Sequence, residues 1–132
     1  DILQKAYTAE PRGLIGNDDS GALSAWYVFA AAGFYPVCPG VAEYALVSPI
    51  FKKITIENGA GKKPFEIIVR NYSPHNAFIQ SALLNGQSLN YPILKHTDII
   101  RGGKLELFMD NKPNRAWGKN ALKVYYSIGK ER

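Results

Sequence analysis

The sequence predicts an α+β chain, two N-terminal helices followed by an antiparallel β-sandwich. Three observations predict it. Residues 22–32 form an almost wholly apolar run closed by Gly33. Residues 41–128 alternate apolar and polar side chains with the two-residue period of strands, and no helical pattern separates the successive runs. Short strands spaced by turns alone read as a sandwich and not as a βαβ sheet. The division falls near residue 40, with the helices in 1–40 and the sandwich in 41–132.

Ile2, Leu3, Ala6 and Tyr7 recur at i, i+1, i+4 and i+5, the stripe of an amphipathic helix. Glu10-Pro11-Arg12-Gly13 ends it, because the residue before a proline leaves the helical region and glycine supplies a turn. The loop over 14–21 contains Gly16-Asn17-Asp18-Asp19-Ser20-Gly21, where Asp19 or Ser20 is placed to cap a second helix over 22–32. That helix has almost no polar face, and a helix apolar all round is buried on all sides. The first helix and one sheet face cannot surround it. Its neighbours are expected from the rest of a longer chain or from an oligomer.

Strands follow at 43–47 and 51–57, separated by Ser48-Pro49, with Ile54 and Ile56 alternating with Thr55 and Glu57. Asn58-Gly59-Ala60-Gly61 turns the chain into a strand over 65–71, where Phe65, Ile67 and Val69 share one face. A strand over 76–84 precedes Asn85-Gly86, a strong hairpin signal. Leu105, Leu107 and Met109 alternate in 104–109, and 121–128 supplies a last strand.

With 132 residues, 46% of them hydrophobic and 20% charged, the composition is that of one globular domain with at most a small attachment. No run of about 18 apolar residues is present to span a membrane. The chain opens at Asp1 without a basic and apolar leader, so a mature or internal piece lacking a signal peptide is expected. Cys38 is the single cysteine, which excludes an internal disulfide and a cysteine-based zinc site. The net charge of +5 comes from scattered residues, with Lys52-Lys53 and Lys62-Lys63 the tightest groups. Such lysines protect sheet edges, and no nucleic-acid partner is expected.

Chemistry concentrates in Gly16-Asn17-Asp18-Asp19-Ser20-Gly21. Flanking glycines allow tight turns, and two adjacent carboxylates stand at the positive end of a helix dipole, a position suited to anions. A held carboxylate beside amide-rich turns is what activation of a water requires. A plain capped helix start accounts for the same residues. The loop lacks the spacing of an EF-hand. His75 and His96 stand in turn-like contexts, and two histidines are too few for a His-only zinc site. Trp26, Tyr27 and Phe29 read as core, and Trp117 reads as pinning its loop more readily than as a sugar platform.

The runs from Gly13 through Asp18-Asp19-Ser20-Gly21 to Trp26-Tyr27-Val28-Phe29, and Gly33-Phe34-Tyr35-Pro36-Val37, resemble the last block of glycoside hydrolase family 92. The likeness continues through Glu43-Tyr44, Ser48-Pro49-Ile50-Phe51, 79–86, Asp98-Ile99-Ile100 and 112–118. These enzymes are calcium-dependent, inverting exo-α-mannosidases, usually of α-1,2 specificity. The resemblance implies that 1–37 closes an (α/α)6 barrel and that 41–128 is a C-terminal β-rich extension. It implies Asp19 as general base, Asp18 as loop support or alternative base, and Asn17 at a substrate-binding position where some members carry a second Asp. Ser20 stands where Cys or Asn is expected.

Inversion also needs a general acid about 6.5–9.5 Å from the base across the sugar. Asp18 and Asp19 share one loop and cannot flank a bond from opposite sides. Glu43, Glu57, Glu66 and Glu106 lie on strands, and Glu10 and Asp98 in turns. The resemblance implies an acid, a Glu well upstream, and most calcium ligands outside this chain; no metal ligand is assigned within it, and the chain alone is expected to be inactive. Mannose-containing glycans and the remainder of the polypeptide are the expected partners, in the periplasm or outside the cell. Two alternatives remain open. The sandwich is a carbohydrate-binding module, or it is a brace whose isolated form self-associates through the exposed helix.

Overall fold

The computed structural model describes residues 2–38 and 40–119. The strand expected over 121–128 lies outside the described residues. In chain order the elements are α1 (Ile2–Lys5), α2 (Ala22–Ala32), β1 (Phe34–Tyr35), β2 (Glu43–Leu46), β3 (Lys53–Ile56) and β4 (Phe65–Arg70). They are followed by β5 (Phe78–Leu84), β6 (Gln87–Ser88), β7 (Ile93–Lys95), α3 (His96–Arg101) and β8 (Gly103–Asp110).

The strands form two sheets, β1-β2-β7 and β3-β4-β8-β5-β6. Alternation sets which side chains face inward. Phe65, Ile67 and Val69 of β4 and Leu105, Leu107 and Met109 of β8 point into one core, together with Phe34, Leu46 and Leu94 from the smaller sheet. The core thus lies between the sheets and joins them. Asn85 and Gly86 both take positive φ, 51° and 82°, between the paired residues Leu84 and Gln87. This is the two-residue turn that an Asn-Gly pair favours.

One pairing departs from the antiparallel expectation. β4 and β8 run parallel, with Phe65 opposite Gly103 and Arg70 opposite Phe108. Parallel neighbours need a long crossover, and here β5, β6, β7 and α3 all intervene. The short helix α3 is a second departure, and it places His96 and Asp98 in a helix and not in turns. Six residues are too few to print a helical period, but Asp98 in its first turn, Arg101 in its last and Gly102 at its end suit the helix dipole and a stop.

α2 keeps the predicted bounds, stopping at Gly33 with φ 92°. A Cβ on Gly33 would lie 2.8 Å from Pro49 Cβ, so this position needs glycine for space as well as for conformation. Phe29 holds α2 to the smaller sheet, meeting Phe34 edge-on at 5.4 Å and stacking on Tyr44 at 6.1 Å. Only Ala30 and Ala31 of α2 are buried, while Val28 is 66% exposed. The apolar helix therefore has one face without a partner among the described residues. No described helix is long and apolar enough to cross a membrane.

Candidate active site

The acidic loop is built from two constrained turns. Upstream, the Gly13 amide donates to Glu10 O at 2.8 Å and the Thr8 amide donates to Gly13 O at 3.0 Å. A Cβ on Gly13 would meet Thr8 O at 2.0 Å, so the chain closes this tightly only with glycine there. Tyr7 fastens the returning chain to α2. Its hydroxyl donates to Leu23 O at 3.3 Å, and its ring stacks on Trp26 with centroids 5.7 Å apart.

Downstream, Asp19, Ser20 and Gly21 are left-handed in succession, with φ of 50°, 61° and 86°. For a non-glycine residue this region costs about 1–3 kcal/mol and persists only where the surroundings impose it. Asp18 imposes it. Its carbonyl accepts the amides of Ala22 at 2.7 Å and Leu23 at 3.3 Å. Its carboxylate accepts the Ser24 amide at 2.8 Å and the Ser24 hydroxyl at 2.6 Å. The amides of Ala22, Leu23 and Ser24 are thus satisfied from this one residue, and that of Ala25 by Gly21 O at 2.8 Å.

The expected cap is corrected accordingly. Gly21 occupies the N-cap position, and neither Asp19 nor Ser20 bonds a helix amide through its side chain. Both residues take the left-handed turn, and the capping passes to Asp18. The Ser24 hydroxyl, then its amide, hold the Asp18 carboxyl below the usual carboxylate range. Asp19 and Asn17 are exposed, and no hydrogen bond to the Asp19 carboxylate is made among the described residues.

Calcium takes six to eight or so oxygen ligands. Both Asp18 oxygens are already engaged by Ser24, which leaves one carboxylate and one amide side chain on the loop. No group of three or more His, Cys, Asp or Glu suited to a metal is assembled among the described residues. The described residues do not fit a complete calcium site.

The other candidates fall elsewhere. Tyr44 Oη and His96 Nδ1 lie 3.0 Å apart, between β2 and the start of α3. The Trp117 indole N–H donates to Leu89 O at 3.0 Å and its ring packs on the core, which makes it a pin for its loop.

Residues 1–111 match the Glycosyl hydrolase family 92 catalytic domain. The chain belongs to glycosyl hydrolase family 92. A family 92 inverting mannosidase of Bacteroides thetaiotaomicron is 41% identical, with a TM-score of 0.85 over 98% of this chain and 17% of that one. A family 92 α-mannosidase of the same organism, solved in complex with mannoimidazole, is 36% identical, with a TM-score of 0.85 over 96% of this chain and 17% of that one. An uncharacterized secreted glycosidase of Arthroderma benhamiae is 34% identical over 119 residues, 89% of this chain and 15% of that protein. The chain thus spans about one sixth of the length of these relatives.

Within this family 92 chain Asn17, Asp18 and Asp19 share one loop, and the two carboxylates differ in that Asp18 bonds Ser24 while Asp19 is exposed. Ser24 is the residue that reading the sequence missed. A capping side chain ordinarily bonds the amide three residues on, whereas Asp18 reaches six residues on, across a left-handed excursion that the sequence does not announce.

Proposed function

We propose that this chain is the C-terminal part of an inverting exo-α-mannosidase that removes α-1,2-linked mannose from glycans. Region 1–40 contributes the closing helices and the acidic loop of the catalytic barrel, and region 41–132 the sandwich beside it. Asp19 is the general base. It takes a proton from a water as the water attacks the anomeric carbon from the face opposite the leaving group. Asn17, exposed on the same loop, contacts the substrate. Asp18 holds the loop.

The observation that carries this reading is the contrast between the two carboxylates. Asp18 is bound at both oxygens, and Asp19 is exposed on a bend with a carboxylate that no described group engages. A base must have its oxygens open to water, and the exposed Asp19, on a backbone held by its neighbours, supports that role. The general acid stands on the remainder of the polypeptide, so the isolated chain does not turn over. The open apolar face of α2, with Val28 66% exposed, supports a docking role for that remainder. The full-length enzyme works with calcium and acts in the periplasm or outside the cell.

The test is release of mannose from an α-1,2-linked mannobiose by the full-length protein and by this chain, with calcium and with a chelator. Turnover confined to the full-length protein and lost to the chelator is expected. Full-length protein inert on every α-mannoside would overturn the reading and leave the sandwich as a carbohydrate-binding or bracing module.

A further inference from the structure

We propose that Ser24 is a positioning residue for the general base, fixing Asp19 through the carboxylate of Asp18; this rests on the reading of Asp19 given above. Four donors converge on Asp18, two on its carbonyl and two on its carboxylate. They close a clamp around Asp19, Ser20 and Gly21, the three left-handed residues. Asp19 adds to its own restraint only through a carbonyl 3.4 Å from the Ala22 amide. The backbone position from which its side chain leaves the loop is therefore set by neighbours.

Within the clamp the Ser24 hydroxyl is the part that capping does not require. The Ser24 amide alone would be satisfied by one carboxylate oxygen at 2.8 Å. The hydroxyl takes the second oxygen at 2.6 Å and so fixes the rotation of the carboxylate about its own bond. Ser24 sits in α2, whose C-terminal half is anchored to the smaller sheet by Phe29. The hydroxyl thereby ties the loop to a helix that is packed on the smaller sheet. It also occupies the oxygen with which Asp18 would otherwise compete for the attacking water. Asp18 is left with a structural duty and Asp19 with the chemical one.

The test uses the full-length protein and α-1,2-linked mannobiose, with kcat and KM read separately and thermal stability measured alongside. Ser24→Ala is expected to lose roughly 10- to 100-fold in kcat, the penalty of a small misplacement of a reacting group, with KM unchanged. Ser24→Thr, which keeps the hydroxyl, is expected to regain most of that loss. A purely structural hydroxyl would lower the melting temperature of Ser24→Ala while leaving kcat at the wild-type value, and that result overturns the proposal. Inactivity of Asp19→Asn beside full activity of Ser24→Ala would remove the positioning role alone. Wild-type kcat in Asp19→Asn would remove the base assignment on which the role rests. Where Ser24→Ala does not fold, Ser24→Cys keeps the volume and weakens the donor, and the same fall in kcat at constant KM is required of it.

Discussion

The Asp18 carboxylate and Ser24 are joined twice, through the Ser24 amide at 2.8 Å and its hydroxyl at 2.6 Å, across a stretch of three left-handed residues. This pair fixes the geometry of the acidic loop and divides its two carboxylates by role. One is spent on the start of α2, and the other is held out toward solvent.

The division predicts unequal effects on stability. Asp18→Ala leaves the Ser24 amide and hydroxyl without their carboxylate acceptor and is expected to lower the melting temperature. Asp19→Ala removes a side chain that no described group holds and is expected to lower it less, only through the left-handed backbone that alanine tolerates less well than aspartate. Thermal denaturation of the two variants decides the matter, and a larger drop for Asp19→Ala would contradict the assignment.

Ser20 is exposed, with φ 61°, and pays a conformational cost that glycine avoids. Ser20→Gly is expected to stabilise the protein by up to about 1 kcal/mol, the relieved strain exceeding the added backbone freedom. Urea denaturation that shows it destabilised by a similar amount would mean that the Ser20 side chain makes a contact in the full protein.

On the second face of the larger sheet, Glu106 is only 9% exposed and bonds Arg70 Nε at 3.0 Å and Lys104 Nζ at 3.0 Å. The Arg70 hydrogen bonds first, and Lys104 second, hold its carboxyl below the ordinary value of 4.5. A lowered acid contributes stability that is present above its unfolded value and is lost as pH falls through the folded one. Stability is therefore expected to decline as pH drops from about 4.5 downward, and Glu106→Gln to flatten that decline. An unchanged acid slope in the variant would show that other carboxylates dominate it.

Gly33 ends α2 at φ 92° with Pro49 packed against it. Gly33→Ala is expected to destabilise by about 1–3 kcal/mol, from left-handed strain together with the displaced proline. A neutral result by chemical denaturation would mean that the 48–50 segment yields easily.

Much of this was legible because some residues admit few alternatives. Gly33 stops an apolar run, Asn85-Gly86 demands a tight hairpin, and Phe65-Ile67-Val69 repeats with the pleat, so α2, the β5–β6 turn and the inner face of β4 follow from the sequence. β1 and β7 are two and three residues long and carry no readable period. The parallel partnership of β4 with β8 depends on how a long connection packs, which no local pattern records. The acidic loop was legible as a place, since Asp18-Asp19 between glycines at a helix start is unusual. The partition of roles was not, because it turns on three φ angles and on a serine six residues away.

The most direct test of the central claim is the steady-state kinetics of full-length Asp19→Asn on α-1,2-linked mannobiose. The variant keeps the size of the side chain and removes its ability to accept the proton of water. A fall in kcat of about 10²- to 10⁴-fold, with KM and melting temperature near the wild-type values, is predicted. Wild-type kcat in this variant would contradict the account, because the base would then have to stand elsewhere.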